Sequence, residues 1–188
     1  MSSSPENVWV PTRAQLATAH DKVLPDVLAP DLKVVFCGIN PGLYLAAVAH
    51  HFARPGNRFW PALFAGGFTP RVYSPFEDHD LLAIGYGLTN LVPRASAAAD
   101  ELSRDELLAG AAALTLKIER HQPRYLAVLG VGAYRAGFDR RKATLGLQDE
   151  RIGGTRIWVL PNPSGLNAHY TGPALGEMFA ALRRAADG

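Results

Sequence analysis

The sequence predicts an α/β layer fold with parallel strands, and two observations carry that prediction. Four short apolar runs without polar alternation punctuate the chain, and amphipathic helical segments lie between them. A run too short for a typical helix and apolar on both faces suits a strand covered on both sides, as in a parallel sheet. Alternating strands and helices of this kind form layers joined by right-handed crossovers.

Taken in order, the first run is Lys33 to Gly38, and a helix follows around Asn57, with Asn57 able to cap it and Phe59, Trp60, Leu63 and Phe64 as its core face. The second run is roughly Leu82 to Leu88. The clearest helix spans Ser103 to Arg120: Ser103 and Glu106 have capping-box spacing, Leu107, Ala111, Leu114 and Ile118 repeat on one face, and Pro123 lies just beyond. Tyr125 to Leu129 and Arg156 to Leu160 are the third and fourth runs. A last helix follows Thr171, with Leu175, Met178, Phe179 and Leu182 as its stripe.

With 188 residues, no repeat and no break in composition, the chain is expected to form one domain over residues 1–188, loose only at about 1–8 and 185–188. Hydrophobic residues at 48% and charged residues at 19% exclude the polar signature of disorder. No apolar run approaches the ~20 residues of a membrane helix, and the start Met1-Ser2-Ser3-Ser4-Pro5-Glu6 lacks the features of a signal peptide. A soluble cytoplasmic protein without membrane contact is expected. The lone Cys37 excludes an internal disulfide and any metal site built from several cysteines of this chain. Nineteen basic against seventeen acidic residues give a net charge of +2, which is not the footprint of a DNA-coating protein. Arg135, Arg140, Arg141, Lys142, Arg151 and Arg156 do fall close together, opposed by Asp139, Asp149 and Glu150. Either they share one positive face or they are ordinary surface arginines.

In open α/β sheets ligands bind beyond the carboxyl ends of the strands, so the residues after each run matter most. Two such loops stand out. In Gly38-Ile39-Asn40-Pro41-Gly42, Pro41 biases Asn40 toward an extended backbone and the glycines permit close approach of a ligand, which holds Asn40 at the mouth of the sheet. In Pro161-Asn162-Pro163-Ser164-Gly165-Leu166-Asn167, two prolines stiffen the loop and Gly165 removes bulk beside Leu166, so a leucine can project on a narrow support. Asn-Pro and Ser-Gly also make plain turns. Between the two, Phe52 falls outside helical periodicity in a loop rich in proline and glycine, as a satellite core contact or a stacking surface for a planar ligand.

Gly38-Ile39-Asn40-Pro41-Gly42, then Pro55-Gly56-Asn57-Arg58-Phe59-Trp60, then Asn162-Pro163-Ser164-Gly165-Leu166 form an ordered set that resembles the mismatch-specific uracil-DNA and thymine-DNA glycosylases of the uracil-DNA glycosylase superfamily. The resemblance covers roughly Val34 to Leu182. It implies a three-layer α/β/α sandwich with a short, mainly parallel four-stranded sheet. It also implies excision, without metal or cofactor, of uracil, or of another damaged pyrimidine such as ethenocytosine before thymine, from mismatches with guanine in double-stranded DNA; a monomer is expected.

By this resemblance Asn40 positions the attacking water, and His51 matches a histidine of the thymine-type relatives that assists water or the leaving base; a buried histidine without a catalytic part is the alternative. The base pocket comprises Ile39, Gly42, Leu45, Phe52 and Asn57, with Phe52 stacked on the flipped base and backbone groups near Ile39 and Phe52 on its polar edge. Asn162, Pro163, Ser164, Gly165, Leu166 and Asn167 supply the DNA wedge and backbone contacts, Gly165 to Asn167 filling the gap left by the flipped nucleotide. A neutral amide takes no proton as a carboxylate does, so the ~100-fold to 10,000-fold contribution of a general base is largely missing and slow turnover is expected. The chain departs from its relatives in three places. Asn167-Ala168-His169-Tyr170 stands where many bacterial members carry an arginine, which implies a weaker hold on DNA. Leu45 replaces a small residue of relatives that admit a methyl group, so thymine is expected to fit poorly if Leu45 faces the pocket. Pro93 replaces an acidic side chain and any help it gave to water.

Rival motifs are incomplete. Gly130-Val131-Gly132 follows a strand, but a dinucleotide fingerprint needs a third glycine where Arg135 stands. Ser164 lacks the first glycine of a nucleophile elbow. Glu77-Asp78-His79-Asp80 reads as a solvated loop before it reads as a metal site. A lesion-binding protein that keeps Phe52 and Leu166 yet removes no base is the remaining alternative.

Overall fold

The computed structural model describes residues 10–188. The expected loose segment at 1–8 lies outside them. A five-stranded sheet has the order β2-β1-β3-β5-β4, with β1 at Val34–Gly38, β2 at Tyr86–Asn90, β3 at Tyr125–Leu129, β4 at Gly146–Ile152 and β5 at Thr155–Leu160. β1 pairs in parallel with β2 and β3, and β3 with β5, while β4 returns antiparallel along β5. Helices are α1 (Arg13–Ala17), α2 (Leu43–Val48), α3 (Phe59–Ala65), α4 (Arg104–His121), α5 (Val131–Gly137) and α6 (Gly172–Asp187).

The buried central strand explains the layering. Side chains alternate faces along a strand, so Val34 and Phe36 join a core with Phe59, Leu63, Phe179 and Leu182 of α3 and α6. Val35 and Cys37 point the other way, into a core with Ala111, Leu114, Ile118 and Tyr134 of α4 and α5. Phe36 meets Phe59 edge-on at 5.4 Å and stacks on Phe179 at 6.0 Å. Full burial of each such side chain contributes about 1.5–3 kcal/mol. Both long helices begin as expected: the Ser103 hydroxyl accepts from the Glu106 N–H, and Thr171 from the Ala174 N–H. Among the described residues, no helix is long and apolar enough to cross a membrane.

Several expectations need correction. The sheet has five strands rather than four. β4 is an edge strand whose residues are mostly half-buried or exposed, so Gln148, Asp149, Glu150 and Arg151 hide it from a search for apolar runs. The second strand is displaced along the chain, because Leu82 and Ile84 belong to a 3-10 helix, Pro75–Ile84, that Gly85 closes before β2 starts at Tyr86. Phe64 is 44% exposed and not part of the core face of α3. Arg58 holds the cap position of α3, while the Asn57 side chain accepts from the Phe59 N–H at 2.9 Å. At the carboxyl end, α6 continues to Asp187 with Ala186 buried, so that segment is packed rather than loose. Nor do all the clustered arginines share one face: Arg140 pairs with Glu150, which the Tyr134 hydroxyl also meets on the α5 side of the sheet, while Arg156 donates to the Tyr125 hydroxyl on the α6 side.

Candidate active site

The carboxyl ends of β1, β2 and β5 open on one side of the sheet, where the loop joining α2 to α3 folds across them. These four segments enclose a cavity of 280 Å³, at the small end of the ~300–1,000 Å³ usual for ligand sites. Ile39, Asn40, Gly42, Leu45, His51, Phe52, Asn57, Asn162, Pro163, Ser164 and Leu166 all line it. Gly165 and Asn167 do not; they face adjoining clefts on either side of the loop. Pro93 is exposed and outside the lining. A larger groove of 620 Å³, lined by Asp139 to Thr144 and Leu147 to Glu150, contains none of these residues.

Asn40 stands directly beyond β1 with its amide nitrogen donating to the Arg94 carbonyl at 3.1 Å and the Ser96 Oγ at 2.7 Å. A backbone carbonyl only accepts, so nitrogen must face Arg94 and the amide oxygen is the free end. Oδ1 makes no hydrogen bond among the described residues. It is therefore an acceptor presented to the cavity by a side chain that two contacts hold still.

His51 is 1% exposed, and its Nε2 lies 2.8 Å from the Pro25 carbonyl. In the neutral ring that contact fixes the proton on Nε2 and leaves Nδ1 as the lone pair. Burial holds its pKa below the ordinary 6.5, only partly offset by the Pro25 carbonyl and Asp78. Among the described residues, no aspartate or glutamate lines the cavity. Cys37 sits in β1, where burial pushes its thiol up to about 12, so it is not a nucleophile.

Phe52 belongs to the core and also borders the cavity. Its ring stacks on Phe59 with centroids 4.0 Å apart. Its φ of +54° is a left-handed value seldom adopted by an aromatic residue. Asp78 ties the preceding residues down: its Oδ2 is 3.2 Å from both the His51 N–H and the His50 Nδ1. The acidic run is thus not a solvated loop, for Asp78 is buried and Glu77 is bound by Arg71 and by the Ser74 N–H.

Across the cavity the loop after β5 is shaped by its own side chains. Asn162 Oδ1 accepts from the Ser164 N–H, Ser164 Oγ from the Leu166 N–H, and Asn167 Nδ2 donates to the Asn162 carbonyl. Gly165 passes so close to Gly56 that a Cβ there would lie 2.5 Å from the Gly56 carbonyl oxygen. At the tip, Leu166 is 81% exposed. Among the described residues no base accepts from the Ser164 hydroxyl, so it lacks the partner that a hydrolase nucleophile needs.

Two residues of the site escape a reading of motifs alone. Asn90, the last residue of β2, lines the cavity, and its Nδ2 is buried without a partner among the described residues. Its Oδ1 would lie 2.7 Å from a Cβ on Gly38, so glycine in β1 makes room for it. Ser96, buried and on the same wall, anchors Asn40. Asn90 ends β2 two residues beyond the apolar run Leu82 to Leu88, so the run does not point to it, and Ser96 carries no local signal.

Comparison with known families agrees with this geometry: the model of the uracil DNA glycosylase superfamily matches residues 25–185.

Proposed function

Since the chain belongs to the uracil-DNA glycosylase superfamily, whose members are DNA glycosylases acting on uracil, we propose that it is a monofunctional glycosylase that removes uracil mispaired with guanine, acting as a monomer on duplex DNA. One observation carries the reading: an anchored amide with a free oxygen, an aromatic ring and an exposed leucine, on Asn40, Phe52 and Leu166, border a single cavity of 280 Å³.

A base inside the duplex is out of reach, and flipping it costs about a few kcal/mol, least for a mispaired one. Leu166 enters the stack and fills the gap, offsetting part of that cost. The carbonyls of Gly165 and Leu166 make no hydrogen bond among the described residues, which leaves them as acceptors for the N1–H and amino group of the widowed guanine. The flipped uracil stacks on Phe52. Asn90 Nδ2 donates to a carbonyl of its edge, and Leu45 crowds carbon 5, disfavouring the methyl of thymine.

Asn40 Oδ1 accepts from a water and aims its oxygen at C1′ of the sugar. As the C1′–N1 bond breaks, its electron pair leaves with uracil as the N1 anion and positive charge spreads over C1′ and the ring oxygen. The water oxygen then bonds to C1′ and releases its proton. Among the described residues no carboxylate lines the cavity to take that proton early, so it passes to solvent water after the bond has formed, the rate leans on the leaving ability of uracil, and turnover is slow. His51, neutral and held through Nε2, presents Nδ1 without adding charge.

The test incubates excess protein with duplexes carrying G:U, G:T or A:U, and with single-stranded uracil DNA, then reveals abasic sites by alkaline cleavage. Product from G:U before the others, cut about 100-fold or more in Asn40→Ala, is expected. Binding without product would instead leave a lesion-binding protein.

A further inference from the structure

The loop that carries Leu166 is tied to the rest of the molecule through one residue. From Asn162 to Tyr170, every hydrogen bond to a residue outside the loop, among the described residues, is made by Arg58. Its backbone N–H donates to the Pro163 carbonyl at 2.9 Å. Its Nη2 reaches the carbonyls of Asn167 at 2.7 Å and Ser164 at 3.4 Å, and its Nη1 donates to the carbonyl of Tyr170. The Nε is buried, so the guanidinium is turned into the loop rather than toward solvent.

We infer that Arg58 is a positioning residue for the wedge: it clamps both flanks of the loop so that Leu166 stands outward before DNA arrives. This rests on the functional reading above. A loop of this length pays ordering entropy when it binds unless something orders it beforehand. Gly165 and Gly56 touch at the tip, but contact without hydrogen bonds does not set direction. A planar fork that bonds separate carbonyls does, and a lysine ammonium does not reproduce it. The nearest alternative is that Arg58 is a phosphate contact. The two differ in what the charge does: a phosphate contact contributes about one unit to the salt dependence of binding, whereas a clamp contributes none.

Hydrogen exchange on the free protein tests the clamp without any substrate. In Arg58→Ala and in Arg58→Lys, amides from 164 to 170 are expected to exchange about tenfold faster or more while those of β1 and β3 keep their protection; unchanged loop exchange overturns the inference. Single-turnover excision from G:U duplex then forms a double-mutant cycle with Leu166→Ala. Arg58→Ala is expected to lose about tenfold or more alone and almost nothing further in the Leu166→Ala background, with an unchanged salt slope for plain duplex. Losses that multiply, or full rescue by Arg58→Lys, which keeps the charge, overturn it. If the alanine variant is globally unstable, the lysine variant carries the same comparisons. Wild-type protein that excises nothing would sink the glycosylase reading and leave the exchange result to judge the clamp.

Discussion

Asn40 hangs from Ser96, with 2.7 Å between the asparagine Nδ2 and the serine Oγ, and Ser96 in turn donates to the Ala98 carbonyl at 2.7 Å. The hydroxyl proton is thereby spent on Ala98, so the serine oxygen accepts from Asn40 and cannot turn to serve water instead. Orientation passes from a backbone carbonyl through Ser96 to the amide that addresses the substrate.

Ser96→Ala should therefore slow single-turnover excision of G:U about tenfold, the equivalent of one hydrogen bond of about 1–1.5 kcal/mol, with little change in duplex binding. Asn40→Ala should cost about 100-fold or more, since misplacement of a reacting water by 1 Å has that effect. Equal losses in rate and in binding for Ser96→Ala would mean that it shapes the cavity rather than the amide.

How far the site could be read from sequence depends on strand ends. Asn40 and Leu166 follow apolar runs whose limits are easy to see, and both border the cavity. Asn90 was hidden because Leu82 to Leu88 looked like the strand; moved to Tyr86–Asn90, the strand delivers Asn90 to the same rim as Asn40. The register pairs Gly38 with Asn90, a relation between residues far apart in sequence. Ser96 lies farther from legibility, since its meaning is a contact with a residue 56 positions away. For β4 the difficulty is burial: an edge strand with charged residues along it needs no apolar pattern, and only Gly153 and Gly154 hinted at a hairpin.

Asn90 makes a different prediction from Asn40. No hydrogen bond among the described residues is lost when its Nδ2 is removed, so Asn90→Leu, which keeps the branched outline of the side chain, should keep stability within about 1 kcal/mol, a shift of ~2–4 °C at most. Excision of uracil should nevertheless fall about tenfold or more, because a buried donor to the base has gone. A large drop in melting temperature together with normal excision would reverse that assignment.

Acid should act on His51 first. Burial lowers its folded pKa below 6.5, so the folded state resists a proton that the unfolded chain accepts. The stabilising difference is present above pH 6.5 and is lost as pH falls below it toward the folded pKa. His20 has the opposite sign, its pKa raised by Asp21 and Glu101, but it is exposed and counts for little. Glu77 and Glu106, held at about 2 by Arg71 and Arg94, respond only between about 4.5 and 2. Melting temperature should thus decline as pH falls below 6.5, before the two glutamates respond. His51→Gln, whose amide can still donate to the Pro25 carbonyl, should flatten that decline. An undiminished slope in the variant would assign the acid sensitivity elsewhere.

Leu45 decides how the cavity treats a methyl group. It is buried in α2 and borders the cavity beside Asn40, so shortening it adds space where the base sits rather than only hollowing the core. A difference of one methylene in an apolar pocket is worth about 10-fold to 200-fold in discrimination. Leu45→Ala should raise the G:T to G:U excision ratio by at least about tenfold. It should also destabilise the protein by less than the ~2–5 kcal/mol of a fully enclosed leucine, because one side of the new space is open. Rates on both mismatches, with enzyme in excess, separate the two consequences. If the ratio stays fixed while both rates fall, Leu45 supports the helix and does not read the base, and the poor fit of thymine must come from its slower departure instead.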